Sequence, residues 1–392
     1  MIEEYLMFFG NQDIWSTVLW FLMFGGLMIF YPKIMISQTV LKLEKDVIEL
    51  EGYVNDSKKS LFKIIPNSTK VKLKVNTFLD FFIVSPISLD PFGIVKKLEH
   101  VIRQGNDRFD YFVKEIAPRA SDVQRANIKA GISDTMMIHQ ITKIIRHYME
   151  TIKKYKLLQL AMVLQMQIPM IKDVAKAANS GTKAFVGGIP IGDSIGPMVA
   201  ASLIKKKPKV FKEEEIVVSK EKMLGRNVYV VKALGPGATT GYPGRFLNNF
   251  VKRNRIKKII TIDAGLRLQG EKVGSVCEGV GIAMGGVGVE RYNIEKVVVE
   301  KKLPIDAVVI KVDEREVFEP MKKEIADSVD EAVEAVKASL RRSKSSDKVM
   351  IMGVGNTCGV GNTRNTISDS IKKLKPEWKK NKGKKKKKGF FK

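Results

Sequence analysis

Eighteen consecutive uncharged residues, Ile14 to Tyr31 (IWSTVLWFLMFGGLMIFY), constrain this chain more than any other stretch. At ~1.5 Å per helical residue they reach about 27 Å, close to the thickness of a bilayer's hydrocarbon core. The run predicts one transmembrane helix over 14–31. A cleaved signal peptide needs a basic start and a small-residue cleavage site, whereas Glu3, Glu4 and Asp13 precede this run. No Lys or Arg lies before it, and Lys33, Lys42, Lys45, Lys58 and Lys59 follow. The positive-inside rule therefore predicts a single-pass protein of the cell membrane, with residues 1–13 outside and the body cytoplasmic.

Beyond Pro32, the residues Ile36, Val40, Leu43, Val47, Leu50 and Val54 step by alternating fours and threes, the stripe of a helix that packs on another helix. The partner is either a second copy, giving a homo-oligomer through helix 36–54, or a later helix of the same chain. Asn76–Leu89 is interrupted by Asp80 and Pro86 and reads as an interfacial or buried segment. The pattern stays helical to about Ala178. Within it, Leu157–Ile171 carries three Gln and reads as a buried helix rather than a second span. Residues 32–180 thus form a helical juxtamembrane region.

After Ser180, short β-branched runs alternate with Gly-rich turns and amphipathic helices. Candidate strands are Thr182–Val186, Glu215–Val218, Asn227–Val231, Lys257–Ile262, Ala307–Val312 and Lys348–Met352, and Lys322–Arg342 reads as one amphipathic helix. The predicted class is α/β: a largely parallel sheet flanked by helices over 181–364, with ligand sites at the carboxyl ends of strands. With only Cys277 and Cys358 present, and no CxxC, neither a disulfide framework nor a structural zinc site is expected, and a reducing compartment fits.

The segment Phe185–Pro197 reads as a strand that breaks into glycines and re-enters a helix. Gly192-Asp-Ser-Ile-Gly196 has the form of a nucleophile elbow, but that fold needs a His after the Ser. His100, His139 and His147 all precede Ser194, which argues against a serine hydrolase. Asp193 remains as an acid at a helix start, where N-capping is its plain role. Asp263 follows the apolar run ending at Ile262. Two acids brought to one rim share a proton, polarise a water or bind a divalent metal. Two Gly-Val-Gly-Asn-Thr repeats, at Gly353 and Gly359, suggest either an anion nest or ordinary turns. Gly235–Gly244 reads as a turn or a substrate-facing flap.

The segments GGIPIGDSIGP (187–197) and IDAGLR (262–267), followed by GGVGVER (285–291), resemble the spore germination protease. The first two also resemble the hydrogenase maturation endopeptidases. These resemblances imply a phosphorylase/hydrolase-like fold. They imply that Asp193 and Asp263 are catalytic in the first family's manner, or metal-binding in the second's. Gly188, Gly192, Gly196, Arg267, Gly286, Gly288 and Arg291 then become substrate or loop candidates. The whole chain looks most like an archaeal membrane-anchored family catalogued as a domain of unknown function.

The net charge of +26 is uneven: Lys372–Lys392 holds twelve Lys against one acid, Glu377. Within the Lys-rich tail 365–392, the final segment 379–392 (KKNKGKKKKKGFFK) is expected to be disordered alone. It suits an anionic lipid surface, where Phe390 and Phe391 insert, or RNA and ribosomal phosphate. The expected function is a membrane-anchored cytoplasmic hydrolase, most simply an aspartate-dependent peptidase. The alternative is a non-enzymatic tethered adaptor that works through the tail.

Overall fold

A computed structural model of the protein describes residues 14–87, 93–285 and 288–389. The expected outside segment 1–13, Gly286 and the Phe390-Phe391 pair lie outside the described residues. The chain divides into two compact units.

The first unit contains the described residues up to Gly52 together with Gln140–Asp173. Its helices are the start of α1 (Ile14–Leu61), the end of α4 (Asp122–Tyr155) and the start of α5 (Leu158–Gly187). Among the described residues, α1 is the one helix long and apolar enough to cross a membrane, and its side chains from Leu19 to Tyr31 are mostly exposed. The stripe that follows turns inward, with Ile36, Leu43, Val47 and Leu50 buried. Thr39 Oγ1 donates to Gln165 Oε1 at 3.3 Å, and Lys172 bridges Asp46 at 2.7 Å and also Glu49. Hydrogen bonds to Asp46 and Glu49 raise the Lys172 ammonium above its ordinary range. Later helices of the same chain therefore pack on this stripe, one of the two partners expected for it. Leu157–Ile171 differs from expectation too: Ala161, Leu164 and Ile168 are buried, but Met162, Met166 and Met170 form an exposed row.

The second unit holds Tyr53–His139 and the residues from Val174 onward. In it α2 (Thr69–Phe78) and α3 (Ile94–Ile116) meet through stacked Phe78 and Phe112, whose ring centroids lie 3.8 Å apart. The segment after α2 is irregular, and Phe82, Val84 and Ile87 are exposed.

The sheet runs β1-β2-β3-β7-β4-β6-β5, comprising β1 (Lys209–Phe211), β2 (Ile216–Met223), β3 (Arg226–Ala233), β4 (Lys258–Leu266), β5 (Val276–Val280), β6 (Ile305–Val312) and β7 (Lys348–Gly353). The β3–β7, β7–β4 and β4–β6 pairs are parallel, while β1–β2, β2–β3 and β5–β6 are antiparallel. The sheet is therefore mixed rather than largely parallel: the centre is built by crossover connections, β1, β2 and β3 follow one another at one edge, and β5 reaches its antiparallel neighbour β6 through the helix Gly288–Lys301 at the other. Thr182–Val186, expected as a strand, is the last turn of α5.

Alternation along the central strands sorts two apolar layers. Val228, Val230, Ile260 and Ile262 pack with α6 (Ile195–Leu203) and α9 (Val329–Arg341). Tyr229, Val231, Ile259 and Met350 pack with α7 (Pro243–Asn254) and α8 (Gly288–Lys301). Each large aliphatic side chain buried this way contributes about 1.5–3 kcal/mol. The helix expected over Lys322–Arg342 breaks at Asp327–Ser328, where Ser328 Oγ donates to the Ile325 carbonyl at 2.7 Å.

The chain is helical over Ile367–Gly389 (α10), and this helix runs into the segment 379–392 expected to be disordered. Leu374 is fully buried, and Trp378 Nε1 donates to the Met321 carbonyl at 2.8 Å. Truncation after Ile371 should therefore cost about 3 kcal/mol or more through lost packing, whereas truncation after Lys380 keeps Leu374 and Trp378 and their contacts. Only the second truncation isolates the lysines. Vesicle or RNA binding that survives it would put the basic surface elsewhere.

Candidate functional site

Asp193 arrives through a turn between two helices, not from the strand end that the glycine-rich segment suggests. α5 ends at Gly187, Gly188 takes a left-handed φ of +57°, and a 3-10 turn over Gly192–Ser194 leads into α6. Gly192 N donates to the Glu319 carbonyl at 3.0 Å, and a Cβ there would strike the Glu316 carbonyl. Asp263 does sit on a strand. It lies in the second half of β4 opposite Val309 of β6 and is only 3% exposed.

The start of α6 rests directly on the ends of β4 and β7, which brings the two acids into one cleft. Gly196 permits this approach, because a Cβ there would collide with the Val354 and Ile262 carbonyl oxygens. Both obstacles are backbone, and neither rotates away. Gly196→Val should therefore cost more than about 4 kcal/mol, read as a collapse of the urea midpoint; a midpoint near that of the wild type would contradict the packing described.

Each carboxylate is tied to backbone amides. Asn356 N donates to Asp193 Oδ2 at 2.7 Å from the first Gly-Val-Gly-Asn-Thr repeat, where Gly355 has φ +121°. The anion that this turn holds is the chain's own Asp193. Ala264 N donates to Asp263 Oδ1 at 2.7 Å, and the Gly285 amide also serves Asp263. Burial outweighs these donors and pushes both carboxyls above the usual carboxylate range. The negative charge of Asp193 pushes Asp263 further in the same direction. Such a pair retains one proton where isolated carboxylates hold none.

The cleft has a volume of about 660 Å³. Its walls carry Glu99, Asp107 and Asp110 from α3, Glu213 and Glu215 before β2, and Glu290 from α8. Arg103 and Arg245 are the cations facing these acids among the lining residues. The Gly235–Gly244 loop contributes Thr240, Gly241 and Tyr242 to the wall. The second repeat acts elsewhere: Asn362 Oδ1 accepts from Gly235 N and from Lys232 Nζ, both at 2.9 Å.

Arg267 is not in this cleft. It donates to the Glu271 carbonyl at 3.1 Å and lies 3.6 Å from Asp313 and 3.9 Å from Glu316. Arg291 pairs with Glu295 on the exposed face of α8, and Gly288 begins that helix. Glu290, one residue before Arg291, faces the cleft and accepts from Gly244 N at 2.7 Å. Sequence reasoning missed it, although consecutive helical residues point about 100° apart. A second missed acid is Asp134 in α4. It lines an adjoining hollow of about 580 Å³ that shares Asp193, Glu215 and Tyr242 with the cleft. Asp134 Oδ2 is buried without a hydrogen-bond partner among the described residues, and burial pushes its carboxyl up to about 8.

The donors present do not make a resident metal centre. Asp193 and Asp263 each commit an oxygen to backbone amides, and no cluster of three or more His, Cys, Asp or Glu side chains suited to a metal occurs among the described residues.

Residues 17–188 match the family model described as "Protein of unknown function (DUF1512) N-terminal domain". Residues 191–361, which include both acids, match the one described as "Domain of unknown function (DUF1512) C-terminal". No curated protein and no solved structure matches the chain.

Proposed function

From the premise that the chain belongs to the DUF1512 family, carrying its N-terminal and C-terminal domains in order, we propose that it is a membrane-anchored hydrolase, an aspartate-dependent peptidase acting on basic peptide segments. The observation that carries this reading is the shared cleft of Asp193 and Asp263, held by backbone amides and within reach of each other's charge. The resemblance of GGIPIGDSIGP and IDAGLR to the germination and hydrogenase maturation proteases points to the same two residues and to a phosphorylase/hydrolase-like fold. The acid-rich wall supports a cationic substrate, because like-signed walls focus the field of a cleft on ions of opposite charge. The long apolar helix supports an anchor in the cell membrane, and the lysines that follow it support an N-terminus outside.

In this mechanism Asp263 carries the proton and Asp193 is ionised. Asp193 takes a proton from a water whose oxygen attacks the amide carbon, while Asp263 gives its proton to the carbonyl oxygen. The resulting gem-diol collapses: the C–N bond breaks, Asp193 delivers its proton to the leaving nitrogen, and a diol hydroxyl returns a proton to Asp263. Protons and electrons balance without another reactant.

The test is hydrolysis of Lys/Arg-rich peptides by the full chain in detergent micelles in ¹⁸O-water, with Asp193→Asn/Asp263→Asn as control. Cleavage that places ¹⁸O in the new carboxylate and disappears in the control supports the peptidase. Cleavage that persists in the control, or none of any basic peptide, sinks it and favours the tethered adaptor.

A further inference from the structure

A second hollow, on the α7 side of the sheet edge, has the opposite charge. It encloses about 690 Å³ between β1, the neighbouring strands and α7. Its charged lining is Lys206, Lys207, Lys209, Lys220 and Arg253 against the single acid Glu214. These cations are exposed, and none has an ion-pair partner among the described residues, unlike Lys323 and Lys337, which pair with Asp327 and Glu334. Like charges gathered this closely repel each other, so their unneutralised grouping favours an anion.

The floor is aromatic. Phe211 lies edge-on to Phe246 at 5.1 Å, Tyr229 lies edge-on to Phe250 at 5.3 Å, and Phe211 and Phe250 remain half-exposed. Lys209 Nζ sits 5.1 Å from the Phe211 ring centroid, a cation beside the aromatic floor. Asn249 and Asn254 line the same wall, and Asn254 spends its amide nitrogen on the Phe250 carbonyl at 2.9 Å, leaving its oxygen to accept. The cationic rim is held in place from below. The buried Glu221 carboxylate accepts from the backbone of Lys205 at 3.0 Å and of Lys206 at 3.2 Å, and from Ser219 Oγ at 2.7 Å.

We propose that this hollow is a binding site for a nucleoside phosphate, its base stacked on Phe211 and Phe250 and its phosphates held by Lys206, Lys207, Lys209, Lys220 and Arg253. A phosphate alone uses the cations and leaves the aromatic floor unexplained. An apolar ligand uses the floor and leaves five cations unneutralised. A base joined to a phosphate uses both, and the volume lies in the usual range for a small-ligand site of about 300–1,000 Å³. The shared chemistry belongs equally to a free nucleotide and to a residue of single-stranded RNA. The site does not depend on the peptidase reading, since the two hollows share no residue, although Glu213, Glu215 and Arg245 of the acidic cleft neighbour Glu214 and Phe246 in sequence.

The experiment is fluorescence anisotropy of fluorescein-labelled octauridylate on the full chain in micelles, with competition by ATP, AMP and inorganic triphosphate. Lys207→Glu/Lys209→Glu/Arg253→Glu should weaken the labelled RNA and ATP by at least about tenfold, and these exposed positions should leave the thermal midpoint unchanged. Phe211→Leu keeps an apolar group in the floor but removes the ring. It should weaken ATP and the RNA by about fivefold or more while leaving triphosphate competition unaltered. ATP competing far better than the octamer assigns the site to free nucleotide, and the reverse assigns it to RNA; both support the proposal. Inorganic triphosphate competing as well as ATP in wild type and Phe211→Leu alike, or affinity unchanged in the triple variant, would overturn it.

Discussion

Asp263→Asn and Asp193→Asn should each lower peptide hydrolysis by about 10³-fold or more in kcat/KM, because each removes one of the two proton transfers that the reaction requires. The side-chain oxygen of asparagine still accepts the Asn356 or Ala264 amide, so the fold should persist in both. Asp263→Asn should also hold or raise the thermal midpoint at pH 8, since it removes a titrating group that is only 3% exposed. The pH profile separates this reading from a merely structural role. Activity needs one proton on the pair, so it should follow a bell whose two limbs both lie above the ordinary carboxylate range, as burial and mutual repulsion require. A wild-type profile with a limb near the ordinary value of 3.8, or single variants of undiminished activity, would remove the shared proton from the mechanism.

Stability should vary with pH in two opposed windows set by buried groups. Asp134 rises from an ordinary 3.8 to about 8, so between those values the folded chain binds more protons than the unfolded one. Stability therefore falls as pH rises across that window and stays low above it. The aspartate pair acts in the same direction. Lys232, fully buried and bonded to the Ala233 carbonyl at 2.8 Å and Asn362, is lowered from 10.5 to about 7. Between 7 and 10.5 the unfolded chain binds more protons, and stability rises with pH. At about 1.4 kcal/mol per pH unit for a one-proton difference, each limb amounts to several kcal/mol. Asp134→Asn should flatten much of the descending limb and Lys232→Met the ascending one. Urea midpoints from pH 5 to 10 measure both, and a profile unmoved by either variant would show that these groups are solvated.

The residues that were legible in the sequence are those whose local pattern and final environment agree. The β-branched runs in β2, β3, β4, β6 and β7 are buried on both faces or nearly so, and they read as strands. β1 and β5 escaped because they are short and exposed edges, and Val-Cys-Glu-Gly-Val has no apolar alternation to show. Thr182–Val186 has strand-like composition, but it ends a helix whose Ala175, Ala178, Gly181 and Ala184 allow close packing, so tertiary contact overrides propensity. The acids Asp193 and Asp263 were visible because each ends a segment of sharply different texture. Asp134 lies within a regular amphipathic helix, and nothing in its neighbours distinguishes a buried carboxyl from a solvated one.

The strand order carries a consequence for synthesis. β7 is the last strand to be made, yet it lies between β3 and β4, and the turn that follows it supplies the amide that fixes Asp193. Until residue 356 has left the ribosome, β1-β2-β3 and β4-β6-β5 are two half-sheets, each with an open edge that only β7 fills. Such an ending makes folding depend on contacts far apart in the chain, which form slowly. It also leaves a nascent chain, or one cut short before β7, without a finished cleft, so any chemistry done there begins only after translation of the body is complete.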